Sequence, residues 1–140
     1  MTDVDREMLR TTFGQDAELY DRWRPGYPPP LFTDLATLAG LGPDARVLEV
    51  GCGTGQATLP LARLGCTVVA MDLSSSMAAI ARRNLAPFPN VTVVASAFED
   101  WQSSDGPFDA VLSATAFHWL DPEVRMIKAA ELLRPGGTLG

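Results

Sequence analysis

Glu49-Val50-Gly51-Cys52-Gly53-Thr54-Gly55-Gln56 sets an acid two places before three glycines spaced two apart, directly after the apolar Val47-Leu48. A chain that leaves a buried strand and turns at once into a helix needs residues that accept φ > 0. Glycines there also let backbone lie against a ligand. The dinucleotide fingerprint puts its third glycine one place later, where this chain has Gln56. A nucleoside ligand without a pyrophosphate fits the spacing better than NAD. Asp72 closes a second apolar run 21 residues beyond Gly51. That is close to the ~20-residue offset at which a carboxylate meets a ribose diol, and a carboxylate accepts two hydrogen bonds side by side. The same letters also suit a tight strand–helix turn and a strand-end or capping aspartate. His118 is the only histidine. It serves either as a general base at neutral pH or, with Trp119, as packing for its loop.

Together these segments resemble class I S-adenosylmethionine-dependent methyltransferases, in particular the small-molecule subgroup with a type 11/25-like domain. The resemblance implies a three-layer α/β/α Rossmann-like fold with a mostly parallel sheet, S-adenosylmethionine as cofactor, and in-line methyl transfer to a small-molecule acceptor. It implies that Gly51, Gly53 and Gly55 face the amino-acid end of the cofactor, that Glu49 fixes the loop, and that Asp72 holds the ribose with Leu73 against the adenine. Ala97 and Phe98 would edge the adenine, although Ser96 stands where the family commonly carries an acid. Ser113-Ala114-Thr115-Ala116-Phe117-His118-Trp119 resembles the subgroup's Ala-x-x-Phe-His-Trp segment, with main chain near Ala114 facing the methionine amino group. Tyr20-Asp21-Arg22-Trp23-Arg24-Pro25-Gly26-Tyr27-Pro28 resembles its Tyr…Arg-Pro-x-Tyr-Pro opening. There Arg24 would fork the cofactor carboxylate and Tyr20 flank the sulfonium; a surface helix followed by a proline turn explains these letters as well.

The elements that must position these residues are legible as periodicity. Asp5 to Arg24 reads as one or two polar helices with buried points at Leu9, Phe13, Leu19 and Trp23. After the prolines, Leu31, Phe32, Leu35, Leu38 and Ala39 fall on one helical face. Residues 1–43 are thus expected to form a helical cap and 44–140 the α/β core of a single domain, which the resemblance makes the cofactor-binding part. In that core, strands are expected at 46–50, 67–71, 91–95 and 108–113. Helices are expected at 56–64, after Ser74-Ser75-Ser76 with Met77, Ile80, Ala81 and Leu85 as its apolar stripe, and from Asp121-Pro122 to about Leu133. Arg134-Pro135-Gly136-Gly137 should stop the last helix. Strands apolar on both faces that alternate with helices require a parallel sheet covered on each side, with the ligand where the strand order reverses.

The net charge of −6 and the single basic doublet Arg82-Arg83 argue against a nucleic-acid partner. Cys52 and Cys66 show neither disulfide nor zinc spacing, and no metal is expected. The polar, acidic opening Met1-Thr2-Asp3-Val4-Asp5 is no signal peptide, and no apolar run approaches a membrane span, so a cytoplasmic protein is expected. Thr138-Leu139-Gly140 looks like the start of a fifth strand, so the chain is expected to lack the family's C-terminal strands. The fourth strand would then present an unpaired edge, and a homodimer through it is expected. A chain that binds S-adenosylmethionine without turnover and self-associates through that edge is the alternative function.

Overall fold

The computed structural model describes residues 2–5, 17–24, 26–104, 106–114 and 116–140. Five parallel strands form one sheet in the order β3-β2-β1-β4-β5: β1 Arg46–Val50, β2 Thr67–Asp72, β3 Val91–Ala95, β4 Phe108–Leu112 and β5 Leu133–Leu139. Helices α1 Ala17–Trp23, α2 Pro29–Ala39, α3 Thr58–Arg63, α4 Ser75–Leu85 and α5 Arg125–Leu132 accompany the sheet, with a 3-10 turn at Phe117–Trp119.

Alternation along β1 assigns the two faces of the sheet. Val47 joins Phe32, Ala39, Leu61, Ala81 and Leu85 in the layer built by α2, α3 and α4. Leu48 and Val50 join Phe98, Phe108, Leu120 and Ala129 on the side of α5. A central strand buried on both faces reads as a continuous apolar run, as Val47-Leu48 does. Helix α4 opens as expected: Ser74 Oγ accepts the Met77 N–H at 3.2 Å, and Met77, Ala78, Ile80, Ala81 and Leu85 are buried.

Four expectations need correction. Leu19 and Trp23 are exposed on α1, where Ala17 is the buried residue; Leu9 and Phe13 lie outside the described residues. On α2 the inner face is Phe32, Leu35, Ala36 and Ala39, while Leu31 and Leu38 are exposed. Helix α5 begins at Arg125 rather than Pro122, because Asp121 Oδ1 accepts the Glu123 N–H at 2.9 Å and closes a local turn first.

The fourth correction concerns the sheet edge. β4 is covered: Phe108 pairs with Leu133, Ala110 with Thr138 and Val111 with Leu139. Helix α5 stops at Leu132 as expected, but Arg134, Pro135, Gly136 and Gly137 all stand opposite the single Asp109, so these residues lie inside β5 as a bulge. Asp109 gathers the junction by accepting the Arg46 N–H at 2.7 Å and the Arg134 guanidinium. An interface through an open β4 edge therefore has no basis, because that edge is occupied.

Candidate functional site

The strand order reverses between β1 and β4, and a cavity opens there at the carboxyl ends of β1, β2 and β4. It encloses about 730 Å³ including its open mouth. Its wall contains Val50, Gly51, Gly53, Met71, Asp72 and Leu73 from the first two strand ends. Met77, Ser96 and Phe98 continue it, Ala114, Ala116, Trp119 and Leu120 follow β4, and Tyr20 and Arg24 come from the α1 segment.

The glycine turn is held from β2. Gly51 and Cys52 both donate N–H to the Met71 carbonyl at 2.8 Å, and Gly53 N–H donates to Asp72 Oδ2 at 2.8 Å. Asp72 Oδ1 accepts the Ser74 N–H at 2.9 Å, so one carboxylate fixes both the turn and the start of α4. Gly51 has φ +77°, and a Cβ there would overlap the Ala116 side chain. Tyr20 lies directly over Gly53, its ring carbon 3.5 Å from where a Cβ would stand. Gly55 is outside the wall: its missing Cβ makes room for Leu85 of α4, 3.2 Å away. The third glycine serves helix packing, while the first two serve the cavity.

A smaller recess joins Glu49, Tyr20, Arg24, Tyr27, Gln56 and Ala114 behind the turn. Glu49 is 2% exposed and accepts the Thr58 hydroxyl. Burial pushes its carboxyl up to about 7; the Thr58 hydrogen bond opposes this, the Asp72 charge adds to it, and Arg24 opposes it weakly. The Arg24 guanidinium sits 5.0 Å from the Tyr20 ring centre and donates to the Tyr27 hydroxyl at 2.8 Å. Cys52 is buried beside them, and burial together with the Glu49 and Asp72 charges raises its thiol well above the usual range. That makes it a filler of the turn.

Ala97 and His118 are not on the wall. The Ala97 carbonyl accepts from Ser96 Oγ at 3.0 Å, so it orients a residue that is on the wall. His118 is exposed, with its ring centre 4.6 Å from that of Trp119, and Trp119 is the one that faces inward. Sequence reasoning missed Val50, Met71, Met77, Ala116 and Leu120 as wall residues. Met77 carried a signal, since the position three after the capping Ser74 sits at the helix end nearest Asp72.

Residues 47–137 match the family model described as a methyltransferase domain. The chain belongs to the S-adenosylmethionine-dependent methyltransferases. An uncharacterized methyltransferase of Mycobacterium tuberculosis is 37% identical over 135 residues, covering 96% of this chain and 53% of that one. The trans-aconitate 2-methyltransferase of Deinococcus radiodurans is 37% identical over 109 residues, 76% of this chain and 40% of that one. Among solved structures, the CcbJ methyltransferase from Streptomyces caelestis superposes with a TM-score of 0.75 at 35% identity, over 93% of this chain and 56% of that one. A Geobacter sulfurreducens methyltransferase in complex with S-adenosyl-L-homocysteine shares the fold at 22% identity and a TM-score of 0.70, over 91% of this chain and 53% of that one. The methyltransferase chain spans about half the length of the curated relatives it matches. No helix among its described residues is long and apolar enough to cross a membrane.

The donor set of this methyltransferase fits the family's cofactor. Gly51 and Gly53 leave backbone where side chains would fill the cavity, Asp72 presents a carboxylate beside apolar Leu73, and Arg24 brings a guanidinium to the recess.

Proposed function

We propose that this chain binds S-adenosylmethionine in the cavity and transfers its methyl group to a small-molecule acceptor by in-line displacement. The observation that carries the reading is the convergence of the glycine turn, Asp72 and Arg24 on one cavity at the sheet's reversal. The Asp72 carboxylate, fixed by the Gly53 and Ser74 N–H groups, stands on the cavity wall, and a carboxylate that accepts side by side suits the two ribose hydroxyls. Leu73 and Phe98 sandwich the adenine, and the Ser96 hydroxyl stands at its edge. Arg24 forks the cofactor carboxylate, and Glu49 and the Ala114 main chain receive its ammonium group.

When bound, the cofactor supplies a sulfonium methyl that is already activated. The chain's own part is to orient both reactants and exclude water, to which Tyr20, Ala116, Trp119 and Leu120 contribute by lining the cavity. His118, outside that wall, takes a proton only from an acceptor that reaches past Trp119. The acidic surface supports a small acceptor over a polyanion, and two buried unpaired thiols support a cytoplasmic setting.

Calorimetric titration with S-adenosylmethionine tests the reading. Micromolar binding is expected, weakened in Asp72→Asn and lost in Asp72→Ala. Wild-type affinity in Asp72→Ala, or NADH competing with S-adenosylmethionine, would overturn it.

A further inference from the structure

Polar side chains in the last turn of α4 join it to α1 outside the cavity wall. Asn84, in the last turn of α4, donates from its amide nitrogen to the Thr54 carbonyl at 2.9 Å and to Asp21 Oδ1 on α1 at 3.0 Å. A primary amide nitrogen carries two hydrogens, so both bonds form together. Arg83 grips the same helix, reaching Glu18 at 2.7 and 3.3 Å and Asp21 Oδ2 at 3.4 Å. Beneath them Ala17 packs with Met77 and Ile80, and Tyr20 against that cluster.

The two acceptors of Asn84 each adjoin a residue of the cavity wall. Thr54 follows Gly53, whose N–H is fixed by Asp72, and Asp21 follows Tyr20, whose ring lies over Gly53. We propose that Asn84 is a positioning residue that joins the α1 segment to the glycine turn, so that one amide sets the spacing between Tyr20, Arg24 and Gly53. The proposal rests on the reading of this cavity as the cofactor site. Arg83 and Glu18 are more than half exposed, so their attraction is screened by salt and holds no fixed register. Asn84 is short and makes two directional bonds, and it therefore supplies the register.

The test follows amide hydrogen exchange in the unliganded 140-residue chain and the release rate of S-adenosylhomocysteine from it. Asn84→Asp keeps the size and removes both donated bonds. Exchange is expected to rise in residues 17–24 and 51–56 together, and ligand release to quicken by about tenfold, while the urea midpoint of the sheet holds. Adding Asp21→Asn to Asn84→Asp restores a donor–acceptor pair between positions 21 and 84 but offers nothing to the Thr54 carbonyl. In that double variant α1 is expected to regain protection while the turn and ligand release stay fast. Unchanged exchange in Asn84→Asp, or full recovery of ligand retention in the double variant, would overturn the proposal. A wild-type chain that fails to bind the ligand defeats the cofactor reading, and the exchange data still decide the joint.

Discussion

Glu49 is the side chain whose surroundings make the sharpest demand on solution conditions. Its carboxyl, raised by burial to about 7, sits above the ~4.3 of an unfolded glutamate. Between those values the folded chain holds a proton that the unfolded chain has released. Stability is therefore highest below pH ~4.3 as far as this group is concerned, and is lost as the pH rises to about 7, by on the order of 3 kcal/mol. Glu49→Gln keeps an acceptor for Thr58 without the charge. Urea midpoints measured from pH 4 to 8 should flatten in that variant, and an unchanged slope would assign the dependence elsewhere. The place of Asp72 on the cavity wall was legible from spacing, because an acid that ends an apolar parallel strand stands at the carboxyl edge of the sheet. The capping alternative weighed for it holds at Ser74, while its bond to the Gly53 N–H was not legible, since backbone partners leave no mark on residue type. Asp72→Ala should accordingly lower the urea midpoint as well as abolish binding, and Asp72→Asn should lower it less.

At the scale of elements, the glycine turn follows from its letters, while the division of labour among its glycines follows from what packs on each. Gly51→Ala meets both a positive φ and the Ala116 side chain. A cost of roughly 2–4 kcal/mol is expected in chemical unfolding. Adding Ala116→Gly should recover the steric part and leave about 1 kcal/mol of backbone cost. Strand limits were readable because β1, β2 and β3 are bounded by turn residues. Helix faces were less so: α1 has several ways to present its apolar residues, and the cluster of Ala17, Met77 and Ile80 selected the face without Leu19 and Trp23. β5 was misread because Pro135 and two glycines ordinarily end elements, yet a bulge opposite Asp109 absorbs them. Asp109→Ala should speed amide exchange in residues 133–139 and cost about 1–2 kcal/mol, since it frees the Arg46 N–H and the Arg134 guanidinium together.

For the molecule as a whole, the fold class and the place of the cavity came from strand–helix alternation, which fixes a parallel sheet before any contact is known. The part of the wall beyond β4 was less legible, because Ala116 and Leu120 lie in a loop that shares no period. Protection should be graded accordingly. Amides of Val47–Val50 and Val68–Met71, flanked by strands on both sides, should exchange only through global unfolding, and those of α1 should exchange first. The pairing of β1 with β4 has a further consequence, for synthesis. Val47 finds Ala110 only after 63 more residues have been made. At about 5–20 residues per second, β1 waits roughly 3–13 s on the ribosome for its β4 partner, open on one side. During that interval a strand that the finished fold buries on both faces is an unprotected edge, and a translating cell must shield it.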